Sequence, residues 1–224
     1  METILGKCKL FAGMSANDIK GVLTCSQAIK RDYQKDSIIF NEGDSAKKIF
    51  ILLSGTVAVG KYTLEGNAIS VAVFHEPGEL FGEVFVFLED GTYDYFAKAE
   101  DQAVVLEIPK KYITDRCAKS CGYHEKLLAN MLMVLAQKAY FLNKKLEVVS
   151  GNSLRQKIAR FLEQKADKKG MVMLQMNREA LALFLGTTRP SLSRELMNLQ
   201  EEGIILAERK NIQILDINAL EAFI

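Results

Sequence analysis

Arg189, Ser191, Ser193 and Arg194 crowd one short stretch of the chain, RPSLSREL, around Pro190. Arginine forks pair bidentately with guanine O6 and N7, and short hydroxyls reach base edges or phosphate oxygens. That combination suits direct readout of a DNA major groove, with Arg189, Pro190, Ser191, Ser193 and Arg194 as the base-reading set. Proline brings no polar side chain, so Pro190 can touch at most a thymine methyl. Asn177, Arg178, Thr187, Thr188, Arg209 and Lys210 flank the set with donors suited to phosphate oxygens, which fix register without reading sequence.

The elements that must carry these side chains are legible. In NREALALFLGTTRPSLSRELMNL, Leu181, Leu185, Leu192, Leu196 and Leu199 follow the three- and four-residue spacing of helices with one buried face. Gly186 suits a tight turn between two such helices, because it takes a left-handed conformation without steric cost. Asn177 and Thr188 are the N-caps, and Pro190 falls in a first turn where its missing N–H is harmless. This is a helix-turn-helix pattern, although a Leu-rich helical hairpin taken alone also describes ordinary core. The residues after the second helix favour DNA. Gly203 is a C-cap, and ILAERKNIQILD is expected to form a two-stranded wing with Arg209, Lys210 and Asn211 at its tip.

Composition bounds the rest. With 224 residues, 49% apolar, the chain can bury the core of one large or two small domains. A net charge of +1 excludes a polybasic coating protein, so any DNA affinity must come from a local face. The chain opens without a signal-peptide pattern, no apolar run is long enough to span a bilayer, and Cys8, Cys25, Cys117 and Cys121 lack disulfide-framework spacing. A cytoplasmic protein with no membrane partner is the expectation. No enzyme is expected: there is no nucleophile–base pair, P-loop or GxGxxG, and only two histidines are present.

Upstream, Ser15 and Asp18 form a capping-box-like start to a short helix. From Ile29 to Ile108 short β-rich runs alternate with turn clusters at 41–44, 54–55, 65–67 and 77–78. Such regular spacing predicts an antiparallel sandwich, barrel or roll. From Tyr123 to Val149 a heptad-like stripe, Leu128, Met131, Leu135, Leu142 and Val149, is interrupted by Lys138 and Lys145. Such a helix is longer than a small domain needs, and it either packs along the roll or pairs with a second copy. Ser150 to Ser153 reads as a hinge.

Phe40, Gly43–Asp44, Ile49–Phe50–Ile51, Gly55, Val57, Val59 and PGELFGE at 77–83 resemble the cyclic-nucleotide-binding-like β-roll. Followed by a winged helix-turn-helix, the chain is similar over nearly its whole length to Crp/Fnr-family transcription regulators. The resemblance implies an α+β fold with three parts. These are a jelly-roll-like antiparallel β-roll effector domain (1–120), a dimerisation helix and hinge (121–150), and a winged helix-turn-helix DNA-binding domain (151–224). It also implies a homodimer on double-stranded DNA with a near-palindromic operator, paired through Leu128, Met131, Leu135, Lys138 and Leu142, with RNA polymerase as a further partner. The alternative is a ligand-binding regulatory protein whose C-terminal module docks to a protein.

In relatives that bind cyclic AMP, Gly-Glu is followed by Arg and then Ser or Thr, ten and eleven positions after the Glu. Here Gly82 and Glu83 are kept, but Tyr93 and Asp94 stand at the phosphate-holding positions. A partly buried phosphate needs a fixed cation or aimed N–H donors, and an Asp there repels it by on the order of a few kcal/mol. Cyclic AMP is therefore disfavoured. No cofactor is assigned, and the effector is unknown: either another small molecule bound by Gly82, Glu83, Tyr93, Asp94, Phe96, Phe141 and Asn143, or none. Cys117, Cys121 and His124 have spacing that could hold a metal or act as a thiol switch, but inert thiols are the favoured reading and no metal is assigned. His75 is read as a turn residue rather than a haem ligand.

Overall fold

The computed structural model describes residues 1–63, 65–66, 68–89, 91–114 and 122–224. It divides into two compact units, Met1–Gln137 and Lys138–Ile224. The division falls inside the long helix.

In the first unit, α1 (Glu2–Leu5), a 3-10 turn (Lys9–Phe11) and α2 (Ala16–Cys25) precede the strands. Ser15 and Asp18 form the capping box at the start of α2. The strands are β1 (Ile29–Tyr33), β2 (Ile38–Phe40), β3 (Lys48–Ser54), β4 (Val57–Tyr62), β5 (Ala68–Phe74), β6 (Leu80–Phe81), β7 (Phe96–Ala99) and β8 (Ala103–Pro109). The short helix α3 (Glu83–Val86) follows β6, and α4 (Lys111–Thr114) follows β8. Two four-stranded sheets result, ordered β1-β8-β3-β6 and β2-β7-β4-β5, and every paired strand is antiparallel. The near-continuous apolar run of β3 fits its central position, where Ile49 to Leu53 are all buried. Edge strand β5 instead leaves Ile69, Val71 and Val73 exposed.

Between the sheets lies a chain of aromatic rings. Phe40 stacks on Tyr93 with centroids 3.9 Å apart, Phe50 lies 5.2 Å from both Phe40 and Phe81, and Phe74 lies 5.3 Å from Phe81. Rings this close in offset or tilted arrangements stabilise beyond their buried area. Leu127, Met131 and Val134 of the long helix α5 (Tyr123–Val149) belong to this same core. The buried side-chain amide of Asn130 donates to Leu10 O and Ala12 O at 2.9 and 3.0 Å, satisfying two carbonyls of the N-terminal segment.

The second unit holds the end of α5, then α6 (Leu154–Lys165), β9 (Met171–Met173), α7 (Arg178–Phe184), α8 (Arg189–Glu201), β10 (Ile205–Ala207), β11 (Asn211–Ile214) and α9 (Ile217–Glu221). Its core gathers Val148 with Ile158, Phe161, Leu162, Leu181, Leu185, Leu192, Leu196 and Leu199. The wing differs from the expected hairpin: β9 adds to β11, giving a sheet ordered β10-β11-β9. Three paired residues, Met171 to Met173, carry too little alternation to announce a strand, and backbone pairing alone defines it.

Arg160 Nη1 donates to Glu147 O at 2.8 Å and to Ser150 Oγ at 2.9 Å, and Gln164 Nε2 donates to Lys144 O at 3.3 Å. With Val148 fully buried beside them, the segment Ser150–Ser153 links two helices already bonded to one another.

Candidate nucleic-acid interface

The two helices that present the arginines are defined by their ends. Asn177 Oδ1 accepts the N–H of Ala180 at 2.8 Å to start α7. The helix closes with Thr187 N donating to Ala182 O and Gly186 N donating to Leu183 O, the paired bonds of a Schellman motif, with Gly186 at φ 66°. Thr188 immediately caps α8, its Oγ1 accepting from Ser191 N at 3.3 Å. The end of α8 repeats the motif: Ile204 N donates to Leu199 O and Gly203 N to Gln200 O.

Leu192, Leu196 and Leu199 pin one face of α8 into the core, so the opposite face is left to solvent. Pro190, Ser191, Ser193 and Arg194 are exposed away from that buried stripe, while Arg189, in line with Leu192, is exposed as the first residue of the helix. Arg209 and Lys210 are exposed in the turn between β10 and β11. A cleft of about 800 Å³ joins the two features, lined by Asn177, Arg178, Arg189, Arg209 and Lys210 together with Gln175, Glu179 and Glu208. Arg178 is half-buried in its wall and donates from Nη2 to Glu208 O at 2.7 Å, while its Nη1 is buried without a hydrogen-bond partner among the described residues. Burial holds this guanidinium below its ordinary value. Thr187 and Thr188 border a second groove of about 500 Å³ with Leu183, which is exposed. Cations on α7, α8 and the wing turn thus surround one concave surface, an arrangement able to receive a polyanion.

Sequence reasoning missed what holds α8 from behind. Arg155 of α6 pairs with both Glu195 and Glu202. Nothing local announces that pairing, since the partners lie 40 and 47 residues away.

On α5 the expected stripe shifts. Met131 is 1% exposed in the core of the first unit, so it is corrected out of the pairing face, and Leu135 packs partly against that core. The exposed leucines are Leu128, Leu132, Leu142 and Leu146, with Leu132 and Leu146 both 61% exposed. Together with Leu135, Ala139 and Val149 they follow an unbroken four-three spacing. Lys138, half-buried, flanks it. Leu132 and Leu146 were legible in the spacing, but Met131 drew the stripe onto the neighbouring face.

Glu83 is buried at the start of α3, behind Gly82, whose backbone is left-handed. Tyr93 was expected to line an effector cavity with Asp94 and Phe96. It is buried against Phe40, and its hydroxyl donates to Lys48 O at 2.7 Å; burial pushes that hydroxyl up to about 12. Its open side borders a cleft of about 530 Å³ whose polar wall is Arg31, Tyr33, Lys48 and Glu107. There the buried Glu107 carboxylate accepts from Tyr33 and Lys48, both at 2.7 Å, and pairs with Arg31 at 3.0 Å. Phe96 is likewise packed, 4.5 Å from the Tyr62 ring. Asp94 is exposed, and Phe141 and Asn143 are exposed on α5 in the second unit.

Cys117 and Cys121 lie outside the described residues, and His124 is half-buried. His75 is exposed, with Nε2 3.6 Å from a Glu76 carboxylate oxygen. Among the described residues no helix is long and apolar enough to cross a membrane.

Comparison with known proteins agrees with both units. Residues 30–120 match the family described as Cyclic nucleotide-binding domain, and residues 156–223 match the Crp-like helix-turn-helix domain. The Anaerobic regulatory protein of Haemophilus influenzae is 29% identical over 199 residues, covering 85% of this chain and 74% of that protein. The Cyclic AMP receptor protein of Thermus thermophilus is 27% identical over 214 residues, covering 95% and 94%. The crystal structure of the Thermus thermophilus Catabolite Activator Protein shares the fold, with a TM-score of 0.54 at 23% identity over 96% of this chain and 97% of that one. A cyclic-nucleotide-binding-type β-roll followed by a Crp-like helix-turn-helix is the signature of non-enzymatic gene regulators, and this chain belongs to the Crp/Fnr family of transcription regulators.

Proposed function

We propose that this protein binds a near-palindromic DNA operator as a homodimer, with the start of α8 from each copy entering successive major grooves about 34 Å apart. The observation that carries this is the exposed first turn of α8, Arg189 to Arg194, standing beside the cationic cleft that the wing turn completes. Arg189 and Arg194 read guanines. Ser191 and Ser193 add contacts to bases or phosphates, and Pro190 meets a thymine methyl. Asn177, Arg178, Thr187, Thr188, Arg209 and Lys210 hold phosphates and set the register. Because Pro190 brings no polar group, the base beside it is read by shape and methyl contact alone.

The homodimer pairs through the exposed stripe Leu128, Leu132, Leu135, Ala139, Leu142, Leu146 and Val149, with Lys138 at its flank. Unpaired, four exposed leucines on one helix face leave apolar surface in water at a cost of roughly 25 cal/mol per Å². Cyclic AMP is disfavoured as the effector: Tyr93 spends its hydroxyl on Lys48 O, and Asp94 brings a negative charge where a phosphate would need a cation. Any effector that acts does so by binding one of two dimer arrangements more tightly than the other. RNA polymerase is the partner through which the bound dimer alters transcription.

Selection of bound duplexes from a random pool, followed by gel-shift titration across salt, tests the proposal. The expected result is an enriched inverted repeat whose affinity falls steeply as salt rises. A pool that stays random, or binding by a monomer alone, refutes it. Capture of a protein partner by a chain that ignores DNA would favour the docking alternative.

A further inference from the structure

Arg155, in the first turn of α6, sends its guanidinium across to α8. Nε lies 2.5 Å from Glu195 Oε1, and Nη1 and Nη2 donate to the two oxygens of Glu202 at 2.9 and 2.7 Å. The second pairing is a fork on a carboxylate, the geometry that makes arginine pairs strong and directional. The same guanidinium lies 5.2 Å from the Phe223 ring, which closes it from the C-terminal side. Its side chain is 26% exposed and that of Glu195 20%, so this pair is shielded more than an ordinary surface bridge.

Helix α8 is a poor DNA-binding helix by charge alone. Its cations are Arg189 and Arg194, and against them stand Glu195, Glu201 and the C-capping Glu202. Its last turn has no basic residue to meet the negative end of the helix dipole. Glu195 is the residue after Arg194 and lies only about 9 Å along the axis from Arg189. That is inside the screening length of about 10 Å at 0.1 M salt, so an uncompensated charge there acts on the phosphates that the arginines approach.

We propose that Arg155 is a positioning residue of the DNA interface, which masks the Glu195 and Glu202 carboxylates so that the arginines of α8 can meet a phosphate backbone. This rests on the proposal that the chain binds DNA. A helix whose carboxylates, counted with its C-cap, outnumber its cations is made compatible with a polyanion by one guanidinium from outside it. Arg155 itself touches neither base nor phosphate.

The test uses the full-length chain and a duplex selected from the random pool. Dissociation constants are measured between 50 and 200 mM salt, a range over which phosphate contacts change affinity strongly, by about 10³ or more. Three proteins are compared: native, Arg155→Gln, and the triple variant Arg155→Gln/Glu195→Gln/Glu202→Gln, each with a thermal melt. The Arg155→Gln protein is expected to bind about tenfold more weakly at low salt, with the gap narrowing as salt screens the exposed carboxylates. The triple variant, which has lost every one of these ion pairs, is expected to return to within about threefold of native affinity because no carboxylate faces the DNA. A tie that acted only as scaffold would leave the triple variant weak, and that result overturns the proposal, as does native-like binding by Arg155→Gln. Should Arg155→Gln melt early, the triple variant decides by the same criterion. A native chain that ignores the selected duplex refutes the DNA-binding reading itself and this inference with it.

Discussion

Thr188 and Ser191 are joined twice across the first turn of α8: Thr188 Oγ1 accepts the Ser191 N–H at 3.3 Å and donates to Ser191 Oγ at 2.9 Å. The cap that starts the helix therefore also orients one of its presented hydroxyls. Thr188→Ala should cost about 1 kcal/mol of cap energy. For a unit of this size that lowers the melting temperature by roughly 4–8 °C. Thr188→Ser should melt like the native chain. An alanine variant indistinguishable in calorimetry would show that the cap contributes nothing.

Arg194→Ala should weaken binding to the selected operator by about 1–3 kcal/mol and relax preference at one base pair. Lys210→Ala should weaken binding to all sequences alike and reduce the salt slope by about one. Selection repeated with each variant checks both; a base preference unchanged in the Arg194 variant removes it from the readers.

Leu132 and Met131 are neighbours in sequence with opposite fates. Leu132→Asp places a charge on the exposed stripe and should yield a monomer in sedimentation without unfolding the first unit. Met131→Ala opens a cavity in that unit's core and should cost about 2–5 kcal/mol while leaving the dimer intact at temperatures below the melt. A Leu132→Asp protein that still sediments as a dimer would remove this helix face from the interface.

Calorimetric titration with cyclic AMP should give no heat beyond dilution. Micromolar binding would mean that Tyr93 leaves its packed position and that Asp94 is offset by a cation from elsewhere.

The turn after α6 makes a prediction about pH. Asp167 accepts from Met171 N at 2.9 Å and Lys169 N at 2.8 Å, and these bonds hold its carboxyl below the ordinary aspartate value of 3.8. A depressed folded value means the stabilisation is present above the unfolded value and is lost as pH falls through the folded one. The melting difference between native and Asp167→Ala protein should be largest at pH 7 and should narrow as the pH falls below 3.8. A difference that persists in acid would assign the effect to something other than the carboxylate.

The long helix, both N-caps and both C-terminal glycines of the helix-turn-helix were written locally. Tyr123 to Val149 stands where the periodicity placed it. Asn177, Gly186, Thr188 and Gly203 bond to groups three residues away, so their neighbours in sequence suffice to reveal them. Pro190, Ser191, Ser193 and Arg194 face outward because Leu192, Leu196 and Leu199 must face inward, which is a matter of helical period, whereas Arg189 lies on the leucine stripe and is exposed because it opens the helix.

Three features were decided only by the assembled chain. Strands β1 and β9 have too little alternation to be read alone and exist because β8 and β11 offer them backbone partners. Met131 and Leu132 are both apolar, and only the presence of the roll beneath α5 determines which of them is buried. Arg155 meets Glu195 and Glu202 over a separation that no local rule covers. Caps and periods act within a turn or two of the backbone, whereas strand pairing, the choice between two apolar faces and a forked ion pair require the partner surface to be in place first.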